Sequence, residues 1–378
     1  MRIVHVFKTY LPDSFCGIER VIWNIAQGTG GLGAEHSVLT LSPNPSPAPV
    51  RVGDHLVYQA RLDLDVASTG FSLGSIGMYR RLVASSDVVH YHFPWPMMDL
   101  LHLGFGVGCP SVVTYHSDIV KQRRLLRLYR PLMHRFLTSA DHIVATSPQY
   151  CETSEVLRRY RHKTSVIPIG LDRDRPSVRP EVLRRWHERV GPGFFLFVGA
   201  PRYYKGLPFL LEAARLAKAR LVLAGVSDAF AGCELGDHII TLGRIGDEDK
   251  EALLELCRAV VLPSHLRSEA FGLLLLEAAR AERPMICCEL GTGTTFVNVA
   301  GVTGLVVPPA DVPALTSALK TLDADPELAA AYGRAARKRF DKLFDASDMG
   351  RSYFEIYKAV TARSARRITL SASPGMAT

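Results

Sequence analysis

Short runs of β-branched and aromatic residues, bounded by turn formers, recur along the whole chain with helically spaced segments between them. The first half carries IVHVF, HSVLTL, DVVHYH, SVVTYH, HIVATS and TSVIP; the second carries FFLFVG, RLVLAG, HIITLG, AVVLPS, PMICCE and GLVVPP. Segments such as LPFLLEAARLAKA and DKEALLELCR show helical spacing. The strand runs are apolar nearly throughout instead of alternating, which is what strands need when helices cover both faces of a parallel sheet. The pattern predicts two doubly wound, Rossmann-like α/β domains over residues 1–169 and 170–347, joined near VIPIGLDRDRPSVRP, where prolines and charges interrupt the rhythm. In open parallel sheets ligands bind outside the carboxyl ends of the strands. Several strand runs end on His90, His92, His116, Ser147 or Ser264, so the chemistry is expected in a cleft shared by two such domains.

Composition narrows the class. With 378 residues, 47% hydrophobic and 22% charged, the chain can fill two ordinary cores. Only ARSARRITLSASPGMAT lacks an apolar period, and residues 364–378 are expected to be a disordered tail. No apolar run reaches the roughly 18 residues that span a bilayer, and Met1-Arg2 leads directly into the first strand run, which reads as a cytoplasmic chain without a leader. Seven scattered cysteines never form a C-x-x-C pair and read as buried or idle thiols. The net charge of +8 suits anionic partners such as nucleotides, nucleic acid or acidic lipid without choosing among them. No zinc-finger, RRM or helix-turn-helix signature supports nucleic acid.

Motifs carry more. GTGGLG, Gly28 to Gly33, spells the dinucleotide fingerprint, but it follows a helical pattern and precedes a strand, the reverse of the order that motif requires; it reads as a helix-ending turn. D-x-D occurs at Asp63, Asp172, Asp247 and Asp323, which reads as coincidence, and with no clustered ligand set in the sequence no catalytic metal is expected. Gly17 falls in the first strand-to-helix loop, where it either admits a ligand to the backbone or turns the chain. His116 ends a strand in TYHSD, a place equally suited to a hydrogen-bonded structural histidine. Arg202 and Lys205 follow the strand FFLFVG and precede a helix, where two cations would face a diphosphate or else be solvated.

The segment SEAFGLLLLEAAR sets Glu269 ahead of a helix that should begin near Gly272, and Glu277 about a turn and a half inside it. The amides around Ala270, Phe271, Gly272 and Leu273 would form an anion site between two carboxylates able to accept hydrogen bonds from hydroxyls. The alternative is a capping acid together with a surface pair of Glu277 and Arg280 at i+3. The basic segment KQRRLLRLYRPLMHRF, within residues 121–137, places Leu125, Leu128, Leu132 and Phe136 on one helical face and Arg123, Arg127, Arg130 and His134 on the other. Two readings stand side by side: peripheral contact with an anionic membrane at its inner face, or an apolar face packed on the domain beneath a solvated basic one.

Taken in order, CGIER, TYHSD, ATSPQY, VIPIGLD, RYYKG, LPSHLRSEAFG and GTGTTFVN, with Glu269 to Glu277 as an E-x(7)-E motif, resemble the retaining glycosyltransferases of family 4, which have the GT-B fold. Cys16-Gly17 stands in place of the family's Gly-Gly, and Ala200 where many members carry arginine. The resemblance implies two domains facing across a cleft, with a C-terminal helix, residues 348–363, packing back on the first. It implies a nucleotide sugar as substrate, no cofactor, and a glycan or lipid-linked acceptor. Glu269 would contact the transferred sugar and Glu277 the ribose, while Arg202 and Lys205 would bind the diphosphate. His116 would reach the sugar near the reacting face, and the domains would close about Gly170 and Asp172. GTGTTFVN resembles bacterial mannosyltransferases of O-antigen or exopolysaccharide assembly, which implies GDP-mannose. The rival readings are a GT-B relative that hydrolyses or epimerises a nucleotide sugar, and a basic membrane- or nucleic-acid-binding module.

Overall fold

The computed structural model describes residues 1–66, 69–106, 108–120, 123–227 and 236–372. The chain divides into two compact units, one of Met1–Thr146, Ser154–Gly170 and Ala346–Thr378, the other of Ser147–Thr153 and Leu171–Asp345.

The first unit contains β1 (Arg2–Val6), β2 (Glu35–Ser42), β3 (Val50–Val52), β4 (His55–Arg61), β5 (Leu64–Val66), β6 (Thr69–Phe71), β7 (Val88–Phe93), β8 (Ser111–Tyr115), β9 (His142–Ala145) and β10 (Thr164–Val166). Eight of them form one sheet in the order β10-β9-β8-β7-β1-β2-β4-β3, parallel except where β3 runs against β4; β5 and β6 form a separate antiparallel pair. The six strands that the apolar runs predict are all present. β4 escapes that reading because its residues alternate between buried and half-buried positions near the sheet edge, so it never forms a continuous apolar run. After β1 the chain builds outward through β2 and β4, then returns to place β7 on the other side of β1, so β1 and β7 flank the point where strand order reverses.

GTGGLG is a helix end: the helix Gly17–Gly30 stops there, and Gly33 has φ +90° before β2. Inside that helix, a Cβ on Gly28 would lie 2.9 Å from Ala346 O, and one on Gly350 would meet the Gly28 backbone, so two glycines let the first and last helices cross in contact. The last helix, Ala346–Ala372, continues past residue 363, where composition alone suggests that order ends. Arginine, alanine and leucine are good helix formers, and they extend a helix whose first turns are already held by packing. Its Tyr357 and Tyr353 hydroxyls bond His90 Nδ1 at 2.7 Å and Thr114 Oγ1 at 2.9 Å.

The basic segment forms the helix Arg123–Ser139, and residues 121 and 122 lie outside the described residues. Its buried side chains are Met133, Phe136 and Leu137, whereas Leu125 and Leu128 are 51% and 80% exposed. The apolar face expected from Leu125, Leu128, Leu132 and Phe136 is therefore rotated: packing selects the neighbouring stripe and leaves two leucines outside, with Arg127 and Arg130 also exposed. Among the described residues no helix is long and apolar enough to cross a membrane.

The second unit contains β11 (Phe195–Val198), β12 (Leu221–Ala224), β13 (Ile239–Gly243), β14 (Ala259–Leu262), β15 (Met285–Cys288) and β16 (Gly304–Val307), all parallel, in the order β13-β12-β11-β14-β15-β16. Phe195, Phe197, Leu221, Leu223, Val261 and Ile286 pack with Leu210, Ala213 and Leu319 from the covering helices in one core. Buried Cys257 and Cys287 have thiols pushed up to about 12 by burial, as expected of inert sulfur. Cys16 is exposed, and Cys233 lies outside the described residues.

Candidate active site

Counting β11 as the first strand of its unit, the sheet order is 3-2-1-4-5-6, and the direction reverses between β11 and β14. A crevice opens at such a switch point because the loops leaving the two central strands diverge to opposite sides. The loop after β11 carries Arg202 and Lys205; the loop after β14 carries Ser264 and Glu269. Lys205 Nζ donates to Glu269 Oε2 at 2.6 Å, and Ser264 Oγ donates to the same oxygen at 2.9 Å. Burial by itself lowers the Lys205 ammonium, but the Glu269 carboxylate, helped by Tyr204, outweighs it and leaves the pKa above the ordinary lysine value. The two loops are also tied directly, through His265 N to Tyr204 O at 2.9 Å and Tyr203 Oη to Ser268 Oγ at 3.1 Å.

A third loop, after β15, supports the second. Thr292 Oγ1 donates to the Glu269 carbonyl at 2.8 Å, and Gly293 N to the Ala270 carbonyl at 2.7 Å. GTGTTFVN thus holds the backbone of SEAFG in place. The helix Leu273–Arg280 then starts from Gly272, whose φ of +83° only glycine adopts readily and where a Cβ would lie 2.8 Å from a Leu262 methyl. Phe271 is buried, and the first-turn amides from Phe271 to Leu273 take no backbone partner among the described residues.

Glu277 lies in the second turn of that helix and accepts from Lys250 Nζ at 2.7 Å; Lys250 also donates to Asp247 Oδ1 at 3.1 Å. The alternative reading of this segment as a cap and a surface pair does not hold. No side chain caps Gly272, and Arg280 turns instead to Glu251 at 2.7 Å and to the Asp172 carbonyl at 3.3 Å. Each glutamate of the motif is buried against a lysine, Lys205 for one and Lys250 for the other. Burying an ion pair costs desolvation that an apolar pair of similar volume avoids, so stability alone does not account for these two contacts. Arg202 stays exposed in its loop.

Lys250 was not legible in the sequence: it is one lysine in a polar helical segment, and only the fold brings it to Glu277, 27 positions further on. Gly17, in the first unit, is the exposed first residue of its helix, with the extended Cys16 before it. His116 sits one residue past β8, 6% exposed, with Nε2 3.0 Å from His92 Nδ1. His5, His90 and His92 form a buried trio whose nitrogens come within 4.8 Å of one another, so the first unit does assemble a histidine cluster that the sequence does not display.

The pattern described as glycosyltransferase family 4 matches residues 15–175, and that described as glycosyl transferases group 1 matches residues 178–339. The chain is 52% identical to the D-rhamnosyltransferase WbpZ of Pseudomonas aeruginosa, over 92% of this chain and 93% of that one. The chain belongs to the family 4 glycosyltransferases. This glycosyltransferase is also 45% identical to O-antigen chain mannosyltransferase C of Escherichia coli, over 94% of its own length and 98% of the relative's. Among solved structures, sucrose-phosphate synthase from Thermosynechococcus elongatus superposes with a TM-score of 0.81 at 20% identity, covering 96% of the enzyme and 99% of that chain. The Anabaena HepE protein in complex with UDP and glucose gives 0.72 at 18% identity, covering 94% and 99%. Both likenesses show the GT-B fold of the glycosyltransferase.

Proposed function

We propose that the enzyme transfers a mannosyl residue from GDP-mannose to a glycan or polyprenyl-linked oligosaccharide, with retention at the anomeric carbon and without a catalytic metal. The observation that carries this is the pair of buried glutamate–lysine contacts on either side of a helix N-terminus at the switch point. Lys205, Arg202 and the first-turn amides stabilise the departing diphosphate, whose oxygen takes the acceptor proton on the same face of the sugar. Glu269, steadied by Ser264 and Lys205, orients the sugar. Glu277 accepts from ribose hydroxyls, and His116 acts on the transferred sugar. The names of the two relatives at 52% and 45% identity support a mannose-type sugar. The first of those names also favours D-rhamnose, the 6-deoxy form of mannose, as a second reading.

Purified enzyme is expected to be stabilised by GDP, by about 2.7 kcal/mol at a hundredfold excess over Kd, and by less with UDP or ADP at the same concentration. It is expected to form an α-linked product from GDP-mannose only when a lipid-linked acceptor is present. Faster transfer from GDP-D-rhamnose selects the second reading. Free sugar released at the same rate with and without acceptor marks a hydrolase and ends both.

Peripheral membrane contact belongs to the same proposal. Leu125 and Leu128 on one face of the helix and Arg127 and Arg130 on the other are all exposed, so the helix offers both apolar and cationic groups, the combination an anionic bilayer attracts. Flotation with anionic liposomes is expected to carry the enzyme upward, and a Leu125→Ser, Leu128→Ser variant is expected to stay behind. Equal flotation of both excludes this helix as the contact.

A further inference from the structure

Four histidines of the first unit form one hydrogen-bonded line across four adjacent strands. His36 is on β2, His5 on β1, His92 on β7, and His116 just past β8. His36 Nδ1 lies 2.9 Å from His5 Nε2, His5 Nδ1 lies 3.0 Å from His92 Nε2, and His92 Nδ1 lies 3.0 Å from His116 Nε2. The register explains the line. His36 pairs with Ile3, two residues before His5; His5 pairs with His90, two before His92; His92 pairs with Thr114, two before His116. Each step therefore keeps the same face of the sheet and climbs two residues toward the carboxyl ends, where parallel sheets bind ligands.

The far end is anchored. His36 Nε2 lies 2.6 Å from Thr29 Oγ1, and Thr29 Oγ1 lies 2.6 Å from the carbonyl oxygen of Ile25. A carbonyl cannot donate, so the single hydroxyl proton of Thr29 is committed to Ile25. His36 Nε2 must then be the donor to Thr29. A neutral imidazole has one N–H and one lone pair, so His36 Nδ1 accepts from His5 Nε2–H, His5 Nδ1 from His92 Nε2–H, and His92 Nδ1 from His116 Nε2–H. Burial keeps the rings neutral: it pulls His36 and His116 down to about 3, and His5 and His92 well below the ordinary histidine value. The only nitrogen left at the end of the line is His116 Nδ1, which has no partner among the described residues.

We propose that Thr29, His36, His5 and His92 are positioning residues that lock His116 in its Nε2–H tautomer, so that Nδ1 is presented as an acceptor for a hydroxyl of the donor sugar. The sugar part of this rests on the role given to His116 under the proposed function; the tautomer part does not. A metal in the same cluster fits less well, because every ring nitrogen of His5, His90 and His92 already has a protein partner, His90 through Tyr357 and Thr114.

The test is histidine nitrogen NMR on the ¹⁵N-labelled full chain at pH 7.5, with the four rings assigned by single substitution. His36, His5, His92 and His116 are expected to show protonated Nε2 and bare Nδ1. Thr29→Val removes the anchoring oxygen at nearly constant volume, leaving a buried N–H unpaired unless the line reverses. The His116 signals are then expected to change to the Nδ1–H pattern, and Thr29→Ser to restore them. Wild-type His116 found as Nδ1–H, cationic or metal-bound overturns the inference whatever the fate of Thr29→Val. An unmoved His116 signal in folded Thr29→Val overturns it as well. In the same variant kcat/KM for the donor is expected to fall about tenfold, the scale of one hydrogen bond turned against its partner. Unchanged kcat/KM with reversed tautomers removes His116 from the reaction while the locked line stands.

Discussion

Glu269→Ala is expected to reduce turnover by about 10²-fold or more while affinity for the bare nucleoside diphosphate changes little. On the proposed reading this side chain orients the sugar, and small misplacements of a reacting group cost rates of that order. Glu277→Ala is expected to fail in the opposite way. On the proposed reading it removes a charged acceptor for the ribose in both ground and transition states, so nucleotide binding should weaken by about 1–3 kcal/mol, with turnover of bound donor largely kept. Each substitution also frees a lysine, Lys205 in the first case and Lys250 in the second, although Lys250 keeps Asp247 at 3.1 Å. Calorimetric titration with GDP and steady-state kinetics separate the two outcomes. Near-wild-type behaviour of both variants reduces the glutamate–lysine pairs to structural contacts.

Acid is expected to unfold the first unit sharply. His5, His90 and His92 have pKa values well below the ordinary 6.5, and His36 and His116 are at about 3, in each case because burial disfavours the cation. His102 and His142 add in the same direction, each held at about 4 by burial. A folded pKa below the unfolded one means that the unfolded chain binds the proton first. The stability is therefore complete above pH 6.5 and is lost as pH falls below it, at about 1.4 kcal/mol per pH unit for each histidine kept neutral. Between pH 6.5 and 5 one buried carboxyl works the other way, because burial pushes Asp99 well above the ordinary carboxylate value, so the loss in that window reports the several histidines less that single group. Urea unfolding across this range is the measurement, and a stability that stays level down to pH 5 contradicts the neutral buried cluster.

Much of this molecule was legible because its strands are of the kind a sequence shows best. A parallel strand buried on both faces is a nearly continuous apolar run, and all twelve runs became strands, although β10 and β13 at the sheet edges are only partly buried. β3 to β6, which are short, exposed or alternating, left no such run. The loop positions were legible for a related reason. Glu269, Gly272, Lys205 and the GTGTTFVN segment lie between a strand run and a helix start, and in this class of sheet that junction is where ligands bind. The amphipathic helix was harder. Its composition allowed more than one apolar stripe, and Leu125 and Leu128 ended outside because Met133, Phe136 and Leu137 packed inward.

By itself, then, the sequence determined the class of both units, the strand runs, the motif glutamates and the family. Local periodicity and short motifs suffice for these, since each depends on residues only a few positions apart. Tertiary structure alone decided which charges meet. Lys205 finds Glu269 across 64 positions, Lys250 finds Glu277 across 27, and Arg280 takes Glu251 and not the glutamate three residues before it. It also decided the histidine line, whose members His5, His36, His92 and His116 belong to four separate runs. Sheet order places those runs side by side, and register, advancing two residues per strand, sets one ring nitrogen against the next. Strand order and register are set by packing the whole unit, so no local window of the sequence contains them.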